Sequence, residues 1–441
     1  MQSSPLRVGI VGMGNIGRYH ANYFTGAAGT AKIHNATLSA LCTRDPAQLP
    51  ALIDTYGGPS SVAGFSSYEK MLSSGSCDAV LIATPHTDHP EKTLAAFKAG
   101  LHVMVEKPLG VSVKAAREVV DAYARYPHLK FGVMFNQRTN PMYRKLHELL
   151  QAGNGKEEGS AAAGGAESTA WQLGALTRIT WIATHWFRPW SYYNVSKWRA
   201  TWKGEGGGVV INQCAHNLDL LQWLVAAATP SAHTPPARAG LPDRVTAVGA
   251  LGKAHPIETE DELSAIFEFP LPDNSAGGGD RGGAIGHFIT STGEFPGSNR
   301  LEICGTRGRI IAENNTLTLI KSSADSRDFA RSSPEPFSSP SSSQSELSFA
   351  PAPPPAATPA SPTPSEHQLL FQNFVDTILN DLPNDRLLAP GTDAPKSLEL
   401  GNAMLLSAFT RTPVNLPLDG DKFDAFLAKM IETSSAQQPS S

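Results

Sequence analysis

The run Leu6-Arg7-Val8-Gly9-Ile10-Val11, broken at once by Gly12-Met13-Gly14-Asn15-Ile16-Gly17, constrains this chain more than any other stretch. An apolar run that ends in glycines and resumes as Arg18 to Phe24 predicts a buried strand turning into a helix. The G-x-G-x-x-G spacing gives each glycine a task. The first permits a tight turn, the second lets a pyrophosphate approach the backbone, and the third lets helix and strand pack closely. The phosphate charge then rests on the amides of the helix N-terminus. Gly12, Met13, Gly14, Asn15, Ile16 and Gly17 are therefore candidate dinucleotide-binding residues.

At 441 residues the chain exceeds one ordinary core, so two domains are expected. A net charge of -4, with 17% charged residues, supplies no basic stripe to neutralise a nucleic-acid backbone, and small molecules are the expected partners. No apolar run approaches the roughly 20 residues that span a bilayer. Met1 to Pro5 is short and polar and the first strand follows directly, so no signal peptide is expected and the location is read as cytoplasmic. Cys42, Cys77, Cys214 and Cys304 lie far apart without metal-ligand spacing, which fits reduced core thiols.

Ala36 to Cys42 reads as a second strand, followed by Thr43-Arg44-Asp45. In a dinucleotide fold an acidic residue here holds the ribose 2′-hydroxyl, whereas a small polar residue followed by Arg accepts a 2′-phosphate. Thr43 and Arg44 favour NADP, while Asp45 keeps NAD open or caps the turn at Pro46. Asp78 to Thr84 is an apolar strand running into Pro85-His86-Thr87-Asp88-His89. A helix from Glu91 to Ala99 closes at Gly100, and the strand Leu101 to Val105 ends in Glu106-Lys107-Pro108. A further helix, Val113 to Tyr126, and strand, Lys130 to Phe135, lead to Asn136-Gln137-Arg138. Strand and helix alternating at this spacing predict a parallel, doubly wound sheet with ligands at the carboxyl ends of its strands. Thr84, Pro85, His86, His89, Glu106 and Lys107 fall there and join the candidate cofactor site.

Gly12-x-Gly14-x-x-Gly17, then Ala83-Thr84-Pro85-His86-x-x-His89, then Ala99 to Pro108 ending in Glu106-Lys107-Pro108, resemble the Gfo/Idh/MocA family of sugar and inositol oxidoreductases in motif, order and spacing. The likeness runs from Leu6 to about Leu418. It implies a Rossmann domain over 1–137 with return helices near 366–411, and a substrate and oligomerisation domain of α+β type over 138–321. The runs Leu176 to Thr184, Val245 to Leu251, Glu262 to Phe269, Ala284 to Thr292, Arg300 to Cys304, Arg309 to Glu313 and Thr316 to Ile320 read as strands of a large, open, mainly antiparallel sheet. The resemblance implies that one face of such a sheet serves subunit contacts, hence a homo-oligomer. Residues 152–170 read as a flexible insert, and the Ser/Pro-rich tract 322–365 as disordered for want of apolar residues.

The second domain opens with Trp186, Trp190, Trp198 and Trp202, four of the chain's seven tryptophans, ahead of Gly206-Gly207-Gly208. Aromatic faces beside polar groups suit sugars, with Trp198 and Arg199 as candidate contacts and Gln137 as another from the first domain. Asn212 and His216, four apart, share a face if Val209 begins a helix, with Gln213 beside them. The family pattern here resembles Asp-x-x-x-His. Asn212 stands in place of the Asp, and an amide cannot accept a proton, so the base duty falls on His216. Asp219 reads as structural.

Lys107 is the expected partner of His216, its ammonium lowering the pKa of a substrate hydroxyl. The implied reaction is hydride transfer between the nicotinamide of NADP or NAD and a carbinol carbon of a carbohydrate or polyol. An NAD-dependent glycosidase and a non-enzymatic cofactor-binding regulator are the alternatives the family allows. No metal site is expected, since His86 and His89 lack partners at ligand spacing.

Overall fold

The computed structural model describes residues 4–26, 31–58, 60–153, 171–231, 234–270, 283–349 and 363–437. The chain forms two compact units. The first comprises residues 1–140, 203–206 and 354–398, and the second 141–202, 207–353 and 399–441. The expected flexible insert, 152–170, lies outside the described residues from 154 onward.

In the first unit, strands β1 (Leu6–Val11), β2 (Ala36–Cys42), β3 (Ala63–Phe65), β4 (Ala79–Ile82), β5 (His102–Val105) and β6 (Phe131–Val133) form one sheet in the order β3-β2-β1-β4-β5-β6. Every pairing in it is parallel. Val8, Ile10, Val80, Leu81, Ile82, Val103 and Val105 are completely buried, which is why these strands read as continuous apolar runs and not as alternating ones. The strand order reverses between β1 and β4, so the loops leaving those two strands flank the topological switch point, where such sheets bind ligands. The three-residue β3 has no counterpart in the sequence reading, being too short to show a period.

Helix Glu366–Leu379 returns to this unit, opened by a capping box between Ser365 and Gln368. Its Leu370, Phe371, Phe374 and Val375 are buried. The last helix that the sequence assigned to the return, Ala394–Thr410, passes from the first unit to the second after Leu398.

The second unit is built on β7 (Leu176–Ala183), β8 (Arg244–Leu251), β9 (Glu260–Glu268), β10 (Ile285–Ser291), β11 (Asn299–Gly305), β12 (Gly308–Glu313), β13 (Thr316–Ser322), β14 (Ser342–Ser348) and β15 (Val414–Asn415). They form a nine-stranded sheet ordered β14-β13-β12-β11-β7-β10-β9-β8-β15, antiparallel except where β10 meets β7. Trp181, Phe288, Leu263, Phe267, Leu301 and Leu317 fill its buried face. The opposite face carries an ion-pair ladder of Arg178, Glu302, Arg300 and Glu313, which gives way to exposed Ile285, Ile289, Ile266 and Val248.

The disorder expected across 322–365 does not hold for its first part. Helix Ser326–Ser332 and strand β14 occupy residues 326–348, while 350–362 lie outside the described residues. All seven residues of β14 are exposed. The strand is held by ladder hydrogen bonds to the free edge of β13, which need only backbone groups, and composition is blind to that contribution. Among the described residues no helix is long and apolar enough to cross a membrane.

Candidate active site

At Gly12 and Gly17 the glycine loop has the tight turn and close packing that its spacing predicts. Gly12 adopts φ +94°, and a Cβ there would stand 2.5 Å from the Ala83 carbonyl oxygen. A Cβ on Gly17 would fall on the Gly12 carbonyl oxygen. Gly14 is different, since a Cβ built on it meets nothing within 4 Å. It is also the N-cap of helix Asn15–Thr25, which has neither a side-chain cap nor an acidic residue in its first turn. The turn thus leaves open space in front of uncompensated amides, the condition for holding a pyrophosphate. Across the switch point, the Thr84 hydroxyl is buried with no partner among the described residues. An orphaned donor at this place fits a dinucleotide that would supply one.

At the end of β2, Asp45 accepts from the Ala47 amide at 3.0 Å and from the Gln48 amide nitrogen at 3.0 Å, so its carboxylate caps the turn at Pro46. Arg44 is exposed and makes no ion pair among the described residues.

His89, a cofactor-site candidate in the sequence, is held by main chain. It is fully buried, with Nδ1 2.7 Å from the Pro108 carbonyl oxygen and Nε2 2.8 Å from that of Thr84. Both nitrogens lie against main-chain carbonyls, to one of which the neutral ring favoured by burial can donate, so the ring ties the loop after β4 to the loop after β5. His86, also buried, lies 6.0 Å from it, centroid to centroid.

Glu106 has a partner that the sequence reading did not find. Its Oε1 lies 2.6 Å from Nε2 of His20, which is wholly buried on helix Asn15–Thr25, and Oε2 accepts the Lys107 amide at 3.2 Å. Burial alone would raise this carboxyl, but the hydrogen bond and charge of His20, with His367 and Lys107 nearby, hold it at about 2. The carboxylate is therefore ionised at neutral pH and anchors the main chain from which half-buried Lys107 projects. Gln137 donates to Glu366 at 3.0 Å, and Asn136 and Asn140 donate to the same carboxylate, so the return helix docks on the turn that carries Gln137. Buried Arg138 pairs with Asp393 at 2.8 Å, fastening the segment further.

Burial holds His102 and His367 at about 4, below the usual imidazole range. The unfolded chain then takes up protons first as pH falls. The stability these rings contribute is complete above about 6.5 and is lost progressively toward pH 4, whereas that of Glu106 is lost only from about 4.5 downward. Urea unfolding should therefore show stability falling by on the order of 2 kcal/mol between pH 7 and 4.5, and His367→Gln with His102→Gln should flatten that slope. An unchanged slope in the double variant would assign the acid lability elsewhere.

In the second unit, Gly208 and Val210 donate their amides to the buried Glu260 carboxylate at 2.8 and 2.9 Å. A Cβ on Gly208 would collide with the Glu260 carbonyl, which accounts for the end of the glycine run. The chain then makes a π-helical turn over Val209–Gln213, with the Cys214 amide reaching the Val209 carbonyl at 2.9 Å, before helix Ala215–Ala228. Asn212 therefore stands on the π-helical turn and His216 on the α-helix that follows it. The i, i+4 expectation is replaced by a wider turn, a geometry frequent at functional sites. Half-buried His216 stands on the first turn of the helix, and buried Asp219 accepts from Gln222 at 3.2 Å.

Tyr192, part of the aromatic stretch but given no role of its own by the sequence, is the hub here. Its hydroxyl receives Gln213 Nε2 at 2.7 Å and Asn212 Nδ2 at 3.4 Å, with Arg199 donating to it as well. Arg188 donates to Gln213 Oε1 at 2.7 Å, and the Trp186 indole donates to Asn217 at 3.1 Å. Trp198 lies under the Arg199 guanidinium at 5.0 Å. The aromatic stretch and the turn before His216 are thus one hydrogen-bonded assembly. Among the described residues no three His, Cys, Asp or Glu side chains cluster as metal donors.

Comparison with known proteins places this geometry in a group. Residues 6–134 match the model of an oxidoreductase family with an NAD-binding Rossmann fold, and 169–311 match the GFO/IDH/MocA C-terminal domain. Inositol 2-dehydrogenase of Corynebacterium glutamicum strain R is 31% identical over 157 residues, 35% of this chain and 44% of that protein. D-glucoside 3-dehydrogenase of Escherichia coli K12 is 36% identical over 122 residues, 27% of this chain and 32% of that protein. The chain thus aligns with less than half the length of either relative. In three dimensions, the WlbA dehydrogenase of Bordetella pertussis, solved with NADH and UDP-GlcNAcA, superposes with a TM-score of 0.65 at 24% identity, covering 94% of this chain and all of that one. A levoglucosan dehydrogenase solved with NADH gives 0.65 at 18% identity over 94% of this chain and 100% of that one, a likeness of fold. With both domain models matched in order, on a cradle built for a dinucleotide, the chain belongs to the GFO/IDH/MocA family of oxidoreductases.

Proposed function

We propose that this protein is an NAD(P)-dependent oxidoreductase of sugars or polyols, acting at a carbinol carbon, with Lys107 and His216 as its catalytic pair. The observation that carries the reading is the open, uncompensated helix N-terminus at Gly14, with the orphaned Thr84 hydroxyl on the loop after the neighbouring strand β4, in a chain of this family. Gly12 to Gly17 hold the pyrophosphate and the loop after β4 holds the nicotinamide half. When bound, the cofactor exchanges a hydride with the carbinol carbon. His216 takes the proton of the substrate hydroxyl, and the Lys107 ammonium stabilises the alkoxide that develops. The amides of Asn212 and Gln213, oriented by Tyr192, and Trp198 and Arg199 beside them, contact the substrate. Gln137 keeps its carbonyl for the same purpose while its nitrogen is held by Glu366.

NADP is the favoured cofactor in this reading. Thr43 stands where an acid would select NAD, Asp45 is spent on its cap, and Arg44 is exposed and able to take a 2′-phosphate. Arg44→Ala should weaken NADPH binding about tenfold or more in a fluorescence titration and NADH binding less than twofold, as expected for one lost charge-assisted contact. Equal effects on both would withdraw the preference.

A homo-oligomer through the open sheet is part of the proposal. Strand register sets Val248, Ser264, Ile289 and Ile182 in one row across β8, β9, β10 and β7, with Val248 67% and Ile289 37% exposed. An apolar row rimmed by the Arg178–Glu302 ladder suits a second copy of the chain. A cytoplasmic location agrees with the free thiols of Cys42, Cys77, Cys214 and Cys304.

The test is a cofactor-reduction screen over sugars and polyols with NAD and NADP in parallel. Substrate-dependent absorbance at 340 nm supports the reading. Release of reducing sugar from glycosides without net absorbance change would favour the glycosidase, and silence with tight cofactor binding would favour a regulator.

A further inference from the structure

Arg188 is held in the second unit by main chain and side chain, its terminal nitrogens donating to the Phe187 carbonyl at 3.0 Å and to Gln213 Oε1 at 2.7 Å. Its amide donates to the Thr292 carbonyl at 3.0 Å, and its carbonyl accepts from His255 Nε2 at 2.7 Å. His255 is itself buried, with its amide and Nδ1 on the fully buried Asp261 carboxylate at 3.0 and 3.3 Å. The main chain of Arg188 is therefore clamped on both sides. Its guanidinium lies 5.6 Å from the Trp186 ring centroid and 5.1 Å from that of Tyr192, and the Arg199 guanidinium lies 4.5 Å from the same Tyr192 ring.

Two like charges share one aromatic ring, and Arg188 has no carboxylate partner among the described residues. The Asp261 carboxylate, the acidic group nearest along this hydrogen-bonded chain, is taken up by the amides of Lys253, Ala254 and His255. A guanidinium stacked for packing alone would still place its donors on acceptors or in water. Arg188 Nε does neither: it is buried and has no hydrogen-bond partner among the described residues. An unmet donor on a preorganised cation is stabilised by an acceptor that arrives with a ligand, and an anion answers both the lost hydrogen bond and the uncompensated charge.

We propose that Arg188, with Arg199 beside it, is an anion-recognition group, and that the substrate is an acidic sugar bearing a carboxylate or a phosphate and not a neutral one. The assignment rests on the proposed reading that the turn before His216 faces the substrate, since Gln213 on that turn is the hydrogen-bond partner of Arg188. The part-buried guanidinium offers its charge to the anionic group, and Gln213 orients it. His255 acts as a positioning residue through the Arg188 carbonyl.

The test is calorimetric titration of the full-length protein with NADH present, using D-glucuronate, D-glucose 6-phosphate and D-glucose as probes. At least one acid should bind ten- to a hundredfold more tightly than glucose, the range for one charge-assisted contact. Arg188→Gln should erase that margin and Arg188→Lys should keep part of it. A preference for glucuronate identifies a carboxylate and one for glucose 6-phosphate a phosphate; either supports the assignment. If neither acid binds more tightly than glucose, or if Arg188→Gln weakens all three alike, the assignment is overturned. Selective binding of an acid with no turnover of any sugar would leave the anion site standing and reject the oxidoreductase reading instead.

Discussion

Replacing His216 by Gln, or Lys107 by Met, should lower kcat by about a thousandfold while NADH affinity changes less than about threefold. The loss at His216 is expected to be large because its neighbours on the same segment are poor substitutes. Asn212 and Gln213 are amides that cannot accept the proton, and Asp219 is buried and hydrogen-bonded to Gln222. Lys107→Met keeps the length of the side chain and removes only the charge that would stabilise an alkoxide. Its main chain stays held by the ionised Glu106, so the variant should fold normally. Initial rates on the best substrate of the screen, with NADH fluorescence titration alongside, separate chemistry from binding. Retention of more than about a tenth of the wild-type kcat in either variant would remove that residue from the mechanism.

Gly17→Ala should be strongly destabilising. Its Cβ would fall on the Gly12 carbonyl oxygen, and Gly12 has little room to yield, because its φ is +94° and its amide is bonded to the Cys42 carbonyl at 2.9 Å. Backbone on backbone leaves no rotamer to relax, so a destabilisation of roughly 3 kcal/mol or more is expected, with NADH binding abolished. Gly14→Ala is the control that separates folding from binding. No protein atom lies within 4 Å of its Cβ, so its thermal midpoint should match the wild type. The methyl would nevertheless stand where the pyrophosphate approaches, and NADH affinity should fall about tenfold or more. Unaltered affinity in Gly14→Ala would move the phosphate site away from this loop.

These expectations differ in how early they could be formed. The glycine loop and the core strands of both sheets, from Leu6–Val11 to Thr316–Ser322, are legible from the chain, because strand periodicity and turn chemistry are properties of neighbouring residues. The carboxyl-end positions of Thr84, Glu106 and Lys107 follow from the same local pattern. Strand β14 escaped because seven exposed polar residues carry no apolar period, and its stability comes from the edge of β13. The π-helical turn over Val209–Gln213 escaped because Glu260, some fifty residues downstream, supplies the carboxylate that holds its amides.

Partner choice among polar side chains belongs to tertiary structure alone. Glu106 could have paired with Lys107 or a cofactor, and only the fold shows it bonded to His20, 86 residues away. Gln137 finds Glu366 across 229 residues, and Arg138 finds Asp393 across 255. His89 looked like a ligand in its motif, yet burial turned both its nitrogens to main-chain carbonyls. By itself the sequence determined the elements and the dinucleotide loop, since their signals are short-range and repeat along the backbone. Only the tertiary structure decided which polar groups are spent and which remain available, because a hydrogen bond depends on position in space and is indifferent to the length of chain between its partners.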